Sequence, residues 1–172
     1  HQLYGAERAK MAGKAVDAQL RYLERDGVNR DGQSGKAYSA VEDDADSKAF
    51  VERGREDRHQ FRFIVAPEDS NEMADLRSFT RDLMRQMGKD LETRLDWIAI
   101  DHYNTGHPHT HIIVRGVLEE GGILNIAGDY IAHGIRHRAS ELVTLELGHQ
   151  SELELQAKLK TEVEAERWTR LD

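Results

Sequence analysis

The stretch Asp101-His102-Tyr103-Asn104-Thr105-Gly106-His107-Pro108-His109-Thr110-His111, followed by Ile112-Ile113-Val114, constrains the fold more than any other part of the chain. Four of the nine histidines fall in these eleven residues, between two segments with strand character. Residues 96–102 are aromatic or β-branched and partly alternating, and residues 112–117 are strongly β-branched. Asn104, Gly106 and Pro108 supply the turn between them. Side chains alternate along a strand, so His109 and His111 share a face. If the two strands pair as an antiparallel hairpin, His102 lies opposite them at the loop end. Three imidazoles then converge on one point and leave the rest of a metal's coordination shell open, as a catalytic metal site requires. His107, in the loop, is expected to face substrate or to support the ligands.

A lone histidine is usually structural, and a pair can be a surface accident; three at this spacing on strand ends point to a metal. The run His-Tyr-Asn-Thr-Gly-His-Pro-His-Thr-His-Ile-Ile-Val resembles the third motif of conjugative relaxases of the HUH endonuclease superfamily, in the branch of mobilisation relaxases that includes the T-DNA border nickase. In that family a His, six intervening residues and His-x-His bind a divalent metal. The resemblance therefore implies His102, His109 and His111 as ligands. The position two after the first His is often an acid in the family. Here it is Asn104, so an acid partner for His102 has to come from Asp101 or another residue.

The 172 residues suffice for one domain with a sizeable core. No cysteine is present, which excludes disulfides, zinc–thiolate sites and thiol catalysis and suits a reducing compartment. No run approaches a membrane span, and no signal peptide is visible. The formal net charge of −8 argues against a generally DNA-adhesive surface, though not against a local basic groove.

Residues 5–26 have a helical pattern with Ala12, Val16, Leu20 and Leu23 as the buried stripe, ended by Gly27. Tyr22 falls on the flank of that stripe and on its own reads as an amphipathic boundary residue. The setting Gln19-Leu20-Arg21-Tyr22-Leu23-Glu24-Arg25 is similar to the tyrosine segment of the same relaxase branch, and the resemblance implies Tyr22 as the nucleophile. Tyr4 and Tyr38 are the rivals, Tyr38 because a Gly-rich loop over residues 27–40 is expected to be exposed and mobile. The family carries a β-strand before this helix. Residues 1–10 are polar and show no strand pattern, so the expectation is a fragment of a longer protein or a rebuilt first strand.

Further along, an acidic run at residues 42–46 precedes a short helix over 47–58, where acids suit the helix dipole. Arg53, Arg55 and Arg58 either balance its C-terminal end or contact phosphates. Residues 60–65 form an alternating strand ended by Pro67, with Ala66 where the family often has a DNA-contacting serine. Ser70 or Asn71 is expected to cap a helix over 70–92, whose stripe is Leu76, Phe79, Leu83, Met87 and Leu91, with Met73 and Met84 as core filler. Residues 123–126 read as a short strand after a Gly121-Gly122 turn. A helix over 129–147 carries His133, Arg136, His137 and Arg138, the best local candidate for a DNA-facing surface. Residues 151–167 read as an amphipathic helix.

The expected fold is α/β, an antiparallel or mixed sheet covered by helices, compatible with the HUH fold. The resemblance implies a single-strand DNA endonuclease that nicks a transfer origin by tyrosine transesterification, with His107 or Asp101 relaying the proton. It also implies magnesium or manganese as the metal, accessory relaxosome proteins, a type IV secretion system and a bacterial cytoplasmic location. Three neutral imidazoles by themselves favour manganese, zinc or nickel over magnesium. A rolling-circle replication initiator, a hydrolase using metal-bound water and a non-catalytic module with a structural metal are the alternatives.

Overall fold

The computed structural model describes residues 16–25, 27, 35–67, 75–103, 106–142 and, by backbone alone, 143–147 and 161–169. The first helix, α1 (16–25), buries Val16, Leu20 and Leu23, spaced four and three apart on one face. Helix α2 (Ser47–Arg53) starts where the Asp46 carboxylate accepts the Ala49 N–H, and stops at Gly54. Strand β1 (His59–Pro67) follows. Helix α3 (Leu76–Asp90) is capped by Asp75, which accepts from the Arg77 N–H and from the Ser78 hydroxyl. That cap displaces the expected ones at Ser70 and Asn71, which lie with Met73 outside the described residues.

Strands β2 (Trp97–His102) and β3 (His109–Arg115) come next, then a π-helical turn at Tyr130–Gly134 that runs into α4 (Ile135–Leu147), and finally β4 (Thr161–Thr169). The sheet is antiparallel throughout, in the order β2-β3-β1-β4. Alternation divides the side chains of its strands between two cores. Phe61, Phe63, Val65, Trp97, Ala99, Ile112 and Val114 face α3 and the buried Ile135 and Ala139 of α4. Ile98, Ile100 and Ile113 face the other way, onto Val16, Leu20, Leu23, Ala37 and Phe50. Helices thus cover both faces, as the sequence pattern predicts.

Four expectations need correction. Residues 161–169 are a strand: Thr-Glu-Val-Glu-Ala-Glu-Arg-Trp-Thr alternates with period two, a signal hidden inside a longer window of helical spacing. Its Val163 and Ala165 stand in register with Val65 and Phe63 of β1. Residues 123–126 form no strand, only a bridge between Ile123 and Val117. Helix α2 ends at Arg53, five residues short of the expected end, because Gly54 opens a turn in which the Asp57 N–H donates to the Gly54 carbonyl. Residues 35–38 are no exposed loop either. Tyr38 exchanges two backbone hydrogen bonds of 2.9 Å with Ala99 and covers the outer edge of β2.

Arg115 holds the Asp57 carboxylate in two hydrogen bonds of 2.9 Å and reaches Asp96, which also takes two from Arg53. The side chain of Arg53 is therefore committed to the fold. The described fold stands on the central β1. Phe63→Ala, at a fully buried position, is expected to cost about 3–5 kcal/mol, read as a lower urea midpoint at unchanged denaturant slope.

Candidate metal centre

The register of β2 against β3 builds the site. His102 pairs with His109 and Ile100 with His111, so the three histidines continue the row of Ile98, Ile100 and Ile113 on the α1 face. The imidazole centroids are 4.6 Å apart for His102 and His111, 5.1 Å for His109 and His111, and 5.2 Å for His102 and His109. One nitrogen from each ring lies within 4.8 Å of the other two. His102 is buried, whereas His109 and His111 are half-buried and form the accessible side.

Two details prepare these rings for a cation. The Nδ1 of His109 lies 3.1 Å from the carbonyl of His107; since a carbonyl only accepts, Nδ1 carries a proton, and in the neutral ring Nε2 is the nitrogen with the lone pair. The Nδ1 of His111 is buried without a hydrogen-bond partner among the described residues. Burial first, then the neighbouring His102, His109 and Arg62, hold the pKa of His111 down at about 3, so the ring is neutral and ready to donate at physiological pH. Three imidazole nitrogens converging around one point, with the His111 ring held neutral and its buried Nδ1 unpartnered among the described residues, fit a divalent cation.

Asp101 does not support His102. It is the next residue on β2, so its carboxylate leaves the opposite face of the sheet, where it accepts the Tyr38 hydroxyl at 2.6 Å. Thr110, its register partner on β3, lies 3.3 Å from the same hydroxyl and donates to the Ile100 carbonyl. Burial raises the Asp101 pKa to about 6 and pushes that of Tyr38 well above the ordinary tyrosine range. Tyr38 is correspondingly fixed, edge-on to Trp97 with Arg77 and Arg81 over its ring. The expected roles of Asp101 as acid partner and of Tyr38 as a mobile tyrosine both give way to a buried structural clamp. His107 is exposed in the loop, where its backbone carbonyl orients His109.

Tyr22 stands on α1, half exposed, with the Arg25 guanidinium 5.5 Å above its ring. It lies five residues before Gly27, a rise of about 7.5 Å along a helix. Tyr4, Asn104 and Ser70 are outside the described residues. Arg58 is exposed just before β1, at the end of the sheet remote from the histidines, roughly 20 Å along the strand. Arg136 is exposed on α4, beside the likewise exposed His133 and His137. Arg138 is not available in the same way. It grips Asp90 through Nε and Nη2, and Asp90 also accepts the Tyr130 hydroxyl, which ties α4 to the end of α3. Sequence reading passed over Arg62, whose register partner is Ile113, on the histidine face of β1. The period-two alternation of residues 60–65 carries the signal that places it there.

An α/β fold with helices on an antiparallel sheet and three histidines gathered on adjacent strand ends defines a metal-ready centre. The family of relaxases described as the MobA/VirD2-like nuclease domain matches residues 17–142. The chain belongs to that family, whose members nick DNA for mobilisation, act on single-stranded DNA and use a divalent metal. No curated protein and no solved structure matches the chain significantly. Among the described residues no helix is long and apolar enough to cross a membrane.

In the metal-free protein, the raised pKa of Asp101 contributes stability below about pH 4 that is lost as pH rises through about 6. Asp101→Asn removes this dependence. Urea unfolding at pH 4 and pH 7 is expected to favour the variant over wild type progressively, by up to roughly 3 kcal/mol.

Proposed function

We propose that the chain is a single relaxase domain that cuts one DNA strand at a transfer origin by transesterification to Tyr22. The convergence of His102, His109 and His111 carries this reading. A divalent cation held by these rings supplies charge neutralisation at the scissile phosphate and fixes its orientation for in-line displacement. Manganese meets both the imidazole donor set and the working metals of the family, magnesium being the second candidate and zinc or nickel the tighter binders.

Tyr22 supplies the nucleophile. Its hydroxyl oxygen bonds to phosphorus as the bond from phosphorus to the 3′-oxygen breaks, giving a 5′-phosphotyrosine and a free 3′-hydroxyl. The tyrosine proton leaves to solvent or to the exposed His107, and the departing oxygen takes one up. The energy of the diester is kept in the new bond, so the strand can be rejoined. Exposure favours Tyr22 over Tyr38, whose hydroxyl is enclosed and hydrogen-bonded to Asp101. Arg62, on the histidine face, and the exposed Arg58 and Arg136 contact the DNA backbone, whereas Arg138 acts through the fold. Relaxosome proteins and a type IV secretion system in a bacterial cytoplasm complete the setting.

Single-stranded origin oligonucleotides incubated with the protein and manganese are expected to give a covalent adduct on denaturing electrophoresis. Tyr22→Phe and His109→Ala are expected to lose it by at least about a hundredfold. Cleavage without an adduct that survives Tyr22→Phe contradicts the tyrosine route and favours metal-bound water as nucleophile. Arg138→Ala is expected to lower the melting temperature while leaving oligonucleotide affinity, measured by anisotropy, within about twofold of wild type.

A further inference from the structure

The helix that carries Tyr22 meets the metal centre through a glycine. Gly27 is buried, and its N–H donates to the Leu23 carbonyl at 2.7 Å. A methyl group added at this position would crowd the Leu23 carbonyl oxygen at 2.7 Å; from the His102 ring it would lie 2.9 Å from Cδ2 and 3.0 Å from Nε2. Both distances are far inside the 3.5–4.0 Å or so at which carbon atoms attract. Gly35 closes the arrangement from behind. Its N–H donates to the Gly27 carbonyl, and a methyl group at Gly35 would stand 3.0–3.2 Å from the Gly27 backbone. Positive φ among the described glycines occurs only at Gly121 and Gly122. Gly27 and Gly35 are therefore needed for room, not for a left-handed backbone.

We propose that Gly27 and Gly35 form a side-chain-free seat that sets the His102 imidazole and joins the end of the tyrosine helix to the metal centre. Gly27 is a positioning residue acting through His102. The backbone behind it is the wall against which the ring rests, so a shift of α1 and a shift of this ligand are coupled. Leu20 and Leu23, in one core with Ile98 and Ile100, hold the helix against the strand that carries the ring. The seat rests on the reading that the three histidines bind a cation.

Manganese binding by electron paramagnetic resonance and melting of the metal-free protein test it together. Wild type is compared with Gly27→Ala, Gly35→Ala, His102→Ala, the double variant Gly27→Ala/His102→Ala, and Gly128→Ala, where a methyl group would meet nothing within 4 Å. Gly27→Ala is expected to weaken manganese binding roughly tenfold or more, Gly35→Ala to weaken it in the same direction, and Gly128→Ala to leave it unchanged. Without metal, Gly27→Ala is expected to lower the melting temperature, and by much less when His102 is already alanine, because one of its two collisions is gone. Wild-type manganese affinity in Gly27→Ala, or a melting loss that is the same with and without the His102 ring, overturns the proposal. In the latter case the crowding is with the Leu23 carbonyl alone. Absence of manganese binding in wild type is a different result: it overturns the metal reading itself, while the melting comparison still reports on the contact.

Discussion

The pairing of His102 with His109 across two antiparallel strands is the constraint on which the site depends. Every imidazole in the cluster owes its place to that rung and the next but one, Ile100 with His111. A slip of one residue would turn a strand's whole row of side chains to the other face and scatter the histidines. Two apolar cores guard against the slip, because both faces of β2 and β3 are buried and each would have to expose isoleucine or valine. The rung between the two histidine rungs, Asp101 with Thr110, is locked from the opposite side by the Tyr38 hydroxyl. A polar clamp on one face thus fixes the ladder whose other face presents the three histidines. Leaving Asp101 without the tyrosine would bury a carboxyl group with little compensation.

The charge distribution fits a DNA enzyme better than the net charge of −8 suggests. Several arginines that look available in the sequence are spent on carboxylates: Arg53 and Arg115 on Asp96, Arg81 on Asp43, Arg138 on Asp90. Partners of this kind hold elements together and are poor candidates for reading phosphates. Arg62, on the histidine face of β1, helps keep His111 neutral.

Much of this was legible in the sequence because it followed from strand alternation. Residues 102, 109 and 111 had to share a face once the hairpin formed, and the stripe of Leu76, Phe79, Leu83 and Met87 had to bury. The same rule takes Asp101 away from His102, because adjacent strand residues point apart; the expectation of an acid partner there rests on adjacency in sequence alone. Tyr38 was misjudged from its glycine-rich neighbourhood, because the backbone pairing with Ala99 is a contact between residues sixty-one apart and leaves no local trace. Strand β4 was hidden by a window in which helical and alternating spacings coincide. Gly27 was read as a helix end, which it is, but its closeness to His102 emerges only when α1 is laid on the sheet.

The central claim is that three imidazoles on this hairpin hold a cation and leave part of its coordination shell open. X-ray absorption spectroscopy of the manganese-loaded protein measures it most directly. The account predicts three imidazole nitrogens with the remaining positions taken by light oxygen donors that exchange with solvent. A shell closed entirely by protein side chains, or one with fewer than three imidazoles that is unchanged in His111→Ala, would contradict it.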